Sequence, residues 1–165
     1  MLKIERDIQK LGGIAARWEL FRMGHWRELI DIAVTYGTIV RIRKGHYALP
    51  GEQDDVVRAW RIGGQLACRS ALAYLNGERQ TDGVLHVAVA SNTARLHSPD
   101  QPGRALSKRD AVVVHWTGFS DGEDRRSVPY ETATTQAASC AIRYRPRQGS
   151  SPAEPLSGLS PPRRK

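Results

Sequence analysis

An α+β fold is the class that the sequence predicts, and three features of the chain support it. Residues 1–50 contain runs with the 3.6-residue spacing of helices, followed by a short β-branched run. Residues 51–140 contain two further helical runs and two apolar, strand-like runs. From residue 141 onward, Pro, Ser, Gly and Arg dominate and no apolar period remains. The sequence therefore predicts an α+β chain with a disordered tail.

The first helix is predicted over LKIERDIQKL, residues 2–11. Leu2, Ile4, Ile8 and Leu11 can line one side of it, and Gly12-Gly13 ends it. A short helix-like run, residues 15–23, follows and is broken by a glycine at position 24. Such a first helix commonly braces the two helices after it.

A longer helix is predicted from His25 to Tyr36. Its expected core face has the i, i+3, i+4, i+7 spacing. The residues of this face are Trp26, Leu29, Ile30 and Ala33. Gly37 stands where a helix C-terminal glycine is expected.

A basic hairpin is predicted next. Residues 38–43, TIVRIR, read as a strand, Lys44-Gly45 as a turn and residues 46–49 as a returning strand. Helix, tight turn, helix and hairpin together predict a winged helix-turn-helix domain over residues 1–50. In such a domain the second helix enters the DNA major groove and the hairpin lies against phosphate.

Candidate DNA-contacting residues lie on this helix and hairpin. They are His25, Trp26, Arg27, Arg41, Arg43, Lys44 and His46. Arg27 can grip a guanine with two hydrogen bonds, and the hairpin cations suit backbone contact. Glu28 and Asp31 on the same helix repel phosphate. The alternative is a three-helix scaffold with a solvated, charged hairpin.

Residues 51–140 are predicted to form a second, α+β domain. Two packing helices are expected from about Gln53 and over CRSALAYL, residues 68–75. Strands are expected at residues 84–90 and 111–117, joined by a loop or a loose hairpin connection, and a turn-and-helix begins near Val128. Trp60 and Tyr74 are interpreted as core residues.

Charge is unevenly distributed along the chain. The formal charge of +8 divides into +4 in residues 1–50, −1 in residues 51–140 and +5 in residues 141–165. Basic segments of this kind favour polyphosphate partners, above all double-stranded DNA. The N-terminus shows no apolar signal core and no run is long enough to span a bilayer, so no membrane partner is expected.

Chemistry-bearing residues form no recognisable pattern. Cys68 and Cys140 lie far apart without CxxC spacing, which favours a reducing cytoplasm and argues against a disulfide framework or zinc site. The spacing of His86, His97 and His115 matches no zinc pattern. No P-loop, GxSxG, HExxH or dinucleotide fingerprint occurs. We therefore expect no enzyme activity, no cofactor and no metal.

The order of these segments resembles that of the AbiEi-type antitoxin family of type IV toxin–antitoxin systems. The resemblance covers about Ile4 to Cys140, and two motifs carry it best: residues 43–48, RKGHYA, and residues 69–72, RSAL. It implies a winged-helix repressor of its own operon. The remainder of such an antitoxin counters a nucleotidyltransferase-like toxin, usually without forming a stable complex.

Three departures from the family pattern leave alternatives open. The second helix carries acids where relatives often carry arginines, and Ala67-Cys68 replaces a frequent Ser-His. The folded region after SVPYETATTQAASC also ends early, so the chain reads as C-terminally truncated. One alternative is a truncated relative of winged-helix proteins that carry a very-short-patch-repair-type nuclease. The other is a protein-interaction module without specific DNA binding.

Overall fold

In a computed structural model the chain is a mixed α+β protein, described over residues 1–117 and 124–143. Within these residues it has six helices and two three-stranded sheets. In chain order the elements are α1 (Lys3–Lys10), β1 (Ile14–Ala16), α2 (Arg17–Arg22), α3 (Arg27–Thr35), β2 (Val40–Arg43), β3 (His46–Ala48), α4 (Asp54–Ile62), β4 (Gln65–Leu66), α5 (Cys68–Leu75), β5 (Leu85–Val89), β6 (Val112–Trp116) and α6 (Tyr130–Arg143).

The first sheet belongs to the N-terminal part and has the order β1-β3-β2, all antiparallel. The predicted hairpin is present as β2 and β3, with a register shift between Arg41 and Arg43. One apolar core joins this sheet to the first three helices because each contributes a buried stripe. Its residues are Ile4, Ile8, Ala15, Leu20, Ile30, Ala33, Ile39 and Tyr47.

The second sheet has the order β4-β5-β6. β4 pairs antiparallel with β5, whereas β5 and β6 are parallel in register from Leu85↔Val112 to Val89↔Trp116. All five residues of β5 are buried, as expected for a strand covered on both faces. Parallel pairing excludes the hairpin alternative for the intervening segment, which crosses back as a loop with one isolated bridge, His97↔Ala105.

Ion pairs join the N-terminal part to the rest of the chain. Arg125 donates to both carboxylate oxygens of Glu19 at 2.7 and 2.6 Å, and also to the carbonyl of Ile14 at 3.2 Å. Arg126 donates through Nε to Glu52 at 3.0 and 2.9 Å. Two adjacent arginines thus tie the segment before α6 to the N-terminal half.

One difference from the sequence prediction lies at the start of the second helical run. The sequence predicts a helix-like run from Ala15, but Ala15 and Ala16 join Ile14 in β1 and pair with β3. All three are buried, so pairing with a strand outweighs their helical propensity. The helix is correspondingly shorter than predicted.

The core face of α3 also differs from the prediction. Ile30 and Ala33 are buried as expected, but Trp26 is 74% exposed and Leu29 is 46% exposed. Only Ile30 and Ala33 of α3 are buried, so the neighbouring elements cover one narrow side of this helix. The spacing of these four apolar residues therefore predicted a wider buried face than α3 has.

The last helix ends slightly later than the predicted start of the tail. α6 continues to Arg143, so the first three residues of the predicted tail are helical. The disorder predicted for the remainder falls on residues 144–165, outside the described residues. None of the helices in the described ranges combines the length and apolarity that a bilayer crossing requires.

Candidate nucleic-acid interface and candidate metal centre

The exposed face of α3 presents one cation among acids. Arg27 is exposed at the start of the helix, as the sequence predicts, and Trp26 is exposed beside it although its apolar spacing predicts a core position. Nε of Arg27 lies 3.7 Å from Oδ2 of Asp31 one turn later, in an exposed ion pair. Glu28 is exposed on the same helix. Arg27 can reach a base only by exchanging its partner Asp31, and exposed pairs of this kind exchange easily.

The four candidate contact residues of the hairpin divide into two pairs. Arg41 and Lys44 are exposed. Arg43 is half-buried: a Cβ on Gly63 would lie 3.0 Å from its Nη1, and burial lowers the pKa of its guanidinium. The His46 ring lies 5.5 Å from the ring of Trp60, and burial lowers its pKa. Arg41 and Lys44 are thus available for phosphate, whereas Arg43 and His46 face the α4 side.

His25 is buried, although its position at the helix start predicts a contact with base edges. It is 2% exposed, and its Nε2 lies 2.8 Å from Oδ2 of Asp7 on α1. The hydrogen bond with His25 is the largest cause of the lowered pKa of Asp7. His25 therefore joins α1 to the turn before α3 and cannot contact base edges.

The motifs that carry the family resemblance have structural roles here. In RKGHYA, Gly45 turns the hairpin with a φ of 76°, and the buried Tyr47 accepts hydrogen bonds from Arg17 at 3.2 and 3.0 Å. In RSAL, the hydroxyl of Ser70 accepts from the backbone N–H of His86 at 2.9 Å. Both motifs thus stabilise turns and strand contacts.

A second site lies between the second sheet and its two helices. Cys68 begins α5, His86 is on β5, His115 is on β6 and Cys140 is on α6. Their ligand atoms, one nitrogen or sulfur from each residue, all lie within 4.8 Å of one another. Cys68 and His86 are completely buried, and the other two are partly buried. We call these four residues the Cys2His2 cluster.

The contacts within the Cys2His2 cluster are short. Nδ1 of His86 lies 3.2 Å from Nε2 of His115 and 4.0 Å from Sγ of Cys140. Burial, with a further contribution from Cys140, raises the pKa of the Cys68 thiol to about 11. Burial, Arg69 and His115 lower the pKa of His86 to about 4. The Cys68 thiol and the His86 imidazole are therefore both neutral near pH 7.

Three residues around the Cys2His2 cluster hold two of its members. Nη2 of Arg69 lies 3.3 Å from Nε2 of His86, and Nη1 of Arg69 lies 3.2 Å from Asp82. Oε1 of Gln136 accepts from the backbone N–H of Cys68 at 2.9 Å. Cys68 has a φ of 50°, in the left-handed region that non-glycine residues rarely adopt. Its backbone is therefore held in a costly conformation.

Sequence spacing did not reveal the Cys2His2 cluster. In the sequence the three histidines match no zinc pattern, and the two cysteines lie far apart without CxxC spacing. The structure combines both cysteines with two of the histidines, while His97 lies in the crossover loop. The sequence does show one histidine in each of two similar apolar runs. Only the parallel pairing of β5 and β6 shows that these two histidines lie close together.

Comparison with models of protein families gives no match, and comparison with curated proteins gives none either. The fold and the two sites therefore define the protein as a mixed α+β chain with a basic hairpin beside an exposed helix and a buried group of four metal-ligand side chains.

Proposed function

We propose that this chain binds double-stranded DNA through residues 1–50 and regulates transcription. The carrying observation is the antiparallel hairpin β2–β3, which directly follows α3 and presents Arg41 and Lys44 to solvent. The element order helix, strand, helix, helix, strand, strand, with β1 pairing with β3, supports the proposal because a winged helix-turn-helix would have the same order. The +4 charge of this segment favours phosphate.

The division of labour in this proposal follows from exposure. Arg41 and Lys44 supply phosphate contacts, which position the protein without reading sequence. Arg27 at the start of α3 supplies the base contact, after exchanging its partner Asp31. Arg43 and His46 support the hairpin from its inner side.

The biological role within this proposal is that of an AbiEi-type antitoxin that represses its own operon. Its support is the pair of sequence motifs, RKGHYA and RSAL, and the segment order. A nucleotidyltransferase-like toxin would be a functional partner and not a stable one. A relative of the winged-helix proteins that carry a very-short-patch-repair-type nuclease is the alternative.

A protein-interaction module is the second candidate, because α3 exposes large apolar side chains. Leu29, Ile32 and Tyr36 are 46%, 56% and 82% exposed, and they line a groove of about 460 Å³ against Leu2 and Ile4 of the N-terminal segment. A surface of this kind is more typical of a protein contact than of a DNA reader.

The test measures binding to two duplexes at two salt concentrations, one from upstream of the gene and one scrambled. Arg41→Ala and Lys44→Ala should weaken binding similarly for both duplexes, each reducing the salt slope by about one. Arg27→Ala should reduce the difference in binding free energy between the two duplexes by roughly 1–3 kcal/mol. The matched control is Arg79→Ala, an exposed arginine outside residues 1–50, which should change neither quantity.

Two results would contradict this proposal. Salt-independent or undetectable binding of the unmodified protein would favour the protein-interaction module. If Arg27→Ala weakened both duplexes equally while Arg41→Ala abolished the preference, helix and hairpin would have exchanged roles.

A further inference from the structure

The geometry points to a structural zinc site formed by Cys68, His86, His115 and Cys140. This inference is independent of DNA binding, since none of the four residues belongs to residues 1–50. Two thiolates and two imidazoles are a frequent ligand set for structural zinc. A tetrahedral arrangement of two sulfurs and two nitrogens favours zinc over calcium or magnesium, which prefer oxygen.

The distances agree with one central ion. Zinc bound at about 2.05 Å to nitrogen and about 2.3 Å to sulfur separates two nitrogens by roughly 3.3 Å, and a nitrogen from a sulfur by roughly 3.6 Å. The two histidine nitrogens that face each other are 3.2 Å apart, and Sγ of Cys140 lies 4.0 Å from Nδ1 of His86. All four ligand atoms lie within 4.8 Å of one another, so small side-chain movements complete the shell.

The charge of the complex suits its buried position. Zinc binding displaces one proton from each cysteine thiol, which is released to solvent. Two thiolates then balance the two charges of the ion, and the imidazoles stay neutral. The resulting centre has no net charge, which matters because Cys68 and His86 are completely buried.

The backbone of Cys68 supplies a second, independent observation. Its φ of 50° is a conformation that proteins retain at non-glycine positions mainly where surrounding structure enforces it, often at functional sites. Gln136 enforces it here by accepting the N–H of Cys68 at 2.9 Å. Gln136 lies one helical turn before Cys140, so the same stretch of α6 positions both cysteines.

Arg69 must move when zinc binds. Its guanidinium can only donate to Nε2 of His86, so the proton of the neutral ring lies on Nδ1, the nitrogen that faces His115. Coordination through Nδ1 shifts this proton to Nε2, so the Arg69 contact must open. The Arg69 side chain is half-exposed, so it can turn toward solvent when it leaves His86. Asp82, whose charge acts on His86, is then a carboxylate that can accept a hydrogen bond from Nε2–H of His86.

Four protein ligands leave no open position, so the ion would be structural and not catalytic. The ligands come from α5, β5, β6 and α6, and zinc would therefore hold α6 to the sheet. This cross-link joins residues 72 positions apart in the sequence, from Cys68 to Cys140.

The experiment measures zinc content and cobalt spectra of the full chain, purified under reducing conditions. We expect close to stoichiometric zinc in the unmodified protein. Cobalt should replace it with intense visible bands of a tetrahedral site and a near-ultraviolet thiolate charge-transfer band. Cys140→Ser and His115→Asn should each weaken zinc binding by more than about 100-fold, because outer-shell changes alone cost roughly 10–100-fold.

Matched controls are His97→Asn, a histidine outside the cluster, and Ser139→Ala, the exposed neighbour of Cys140 on α6. Both should retain zinc. Because Cys68→Ser could prevent folding, the cobalt spectrum of the unmodified chain tests sulfur ligation without any substitution.

Three results would overturn the inference. Reduced protein that binds neither zinc nor cobalt would exclude the site. A Cys68–Cys140 disulfide in fresh protein that takes up no metal after reduction would indicate a redox pair. Loss of zinc from the His97→Asn variant but not from Cys140→Ser would place the metal elsewhere.

Discussion

The carboxylate of Asp7 lies under the turn that leads into α3, where Nε2 of His25 approaches it to 2.8 Å. Asp7 and His25 are 7% and 2% exposed. A buried carboxylate requires a partner, because burial without one carries the full desolvation cost. This pair therefore fixes the position of α1 relative to the start of α3.

At the residue scale, His25→Ala should lower the free energy of unfolding by about 1–3 kcal/mol, because it leaves the Asp7 carboxylate without its main partner. Chemical denaturation at neutral pH measures the change. The neighbouring Trp26→Ala is the matched control, and it should change stability little, since Trp26 is 74% exposed. Equal losses in the two variants would show that the Asp7–His25 contact contributes nothing specific.

At the scale of elements, the junction between α4 and β4 depends on close approach of two backbones. A Cβ added to Gly64 would lie 1.8 Å from the carbonyl oxygen of Ala88 on β5. The clash would be with backbone atoms, and the pairing of Gln65 with Ala88 holds this backbone in the sheet. No side-chain rotation can therefore relieve it. Glycine at this position allows β4 to reach β5.

Gly64→Ala should therefore lower the free energy of unfolding by more than about 3 kcal/mol, the upper end of ordinary overpacking costs. The matched control is Gly77→Ala. There a Cβ would meet no heavy atom within 4 Å in the described part of the chain, and only the left-handed φ of 70° opposes it. That strain costs about 1–2 kcal/mol. Thermal unfolding of both variants gives the comparison, and similar losses would argue against the backbone clash.

At the scale of the whole molecule, Glu19 and Arg125 link the N-terminal part to the segment before α6. Burial by itself raises the pKa of Glu19, but hydrogen bonds from Arg125 and from the Ala16 N–H outweigh it, and the pKa lies below its ordinary value of 4.5. A carboxyl with a depressed pKa in the folded state stabilises the protein above its unfolded pKa. This contribution is lost as the pH falls through the folded pKa.

Glu19→Gln should therefore flatten the acid side of the stability profile and cost about 1.5–3 kcal/mol at neutral pH, the range for hydrogen bonds to charged groups. Denaturation between about pH 2 and pH 7 measures it. The control Glu78→Gln, at an exposed position, should follow the unmodified profile. If Glu19→Gln only shifted the whole profile without changing its acid slope, Glu19 would not be the group that titrates.

Much of the fold followed from local patterns. α5 has the predicted bounds, and β5 and β6 each lie one residue inside the predicted runs, because a continuous apolar run between turn signals is typical of a buried strand. The hairpin was predicted from its β-branched run and its Lys44-Gly45 turn. Arg27, Arg41 and Lys44 are exposed as their charge suggested.

Other features required the tertiary structure. Periodicity could not show that Trp26 and Leu29 are exposed, because that depends on how little of α3 its neighbours cover. The position of His25 at a helix start predicts a surface residue, but Asp7 on α1 packs against it and the contact is buried. Spacing in a sequence does not report such encounters.

What the sequence determined by itself was therefore the set of elements and their polarity, since helix and strand periods are local properties of the chain. Only the tertiary structure decided which distant side chains meet. Cys68 and Cys140 are separated by most of the second half of the chain, and the parallel pairing of β5 with β6 places His86 and His115 between them. That register is set by non-local hydrogen bonds and by the burial of β5, and no short stretch of sequence encodes it.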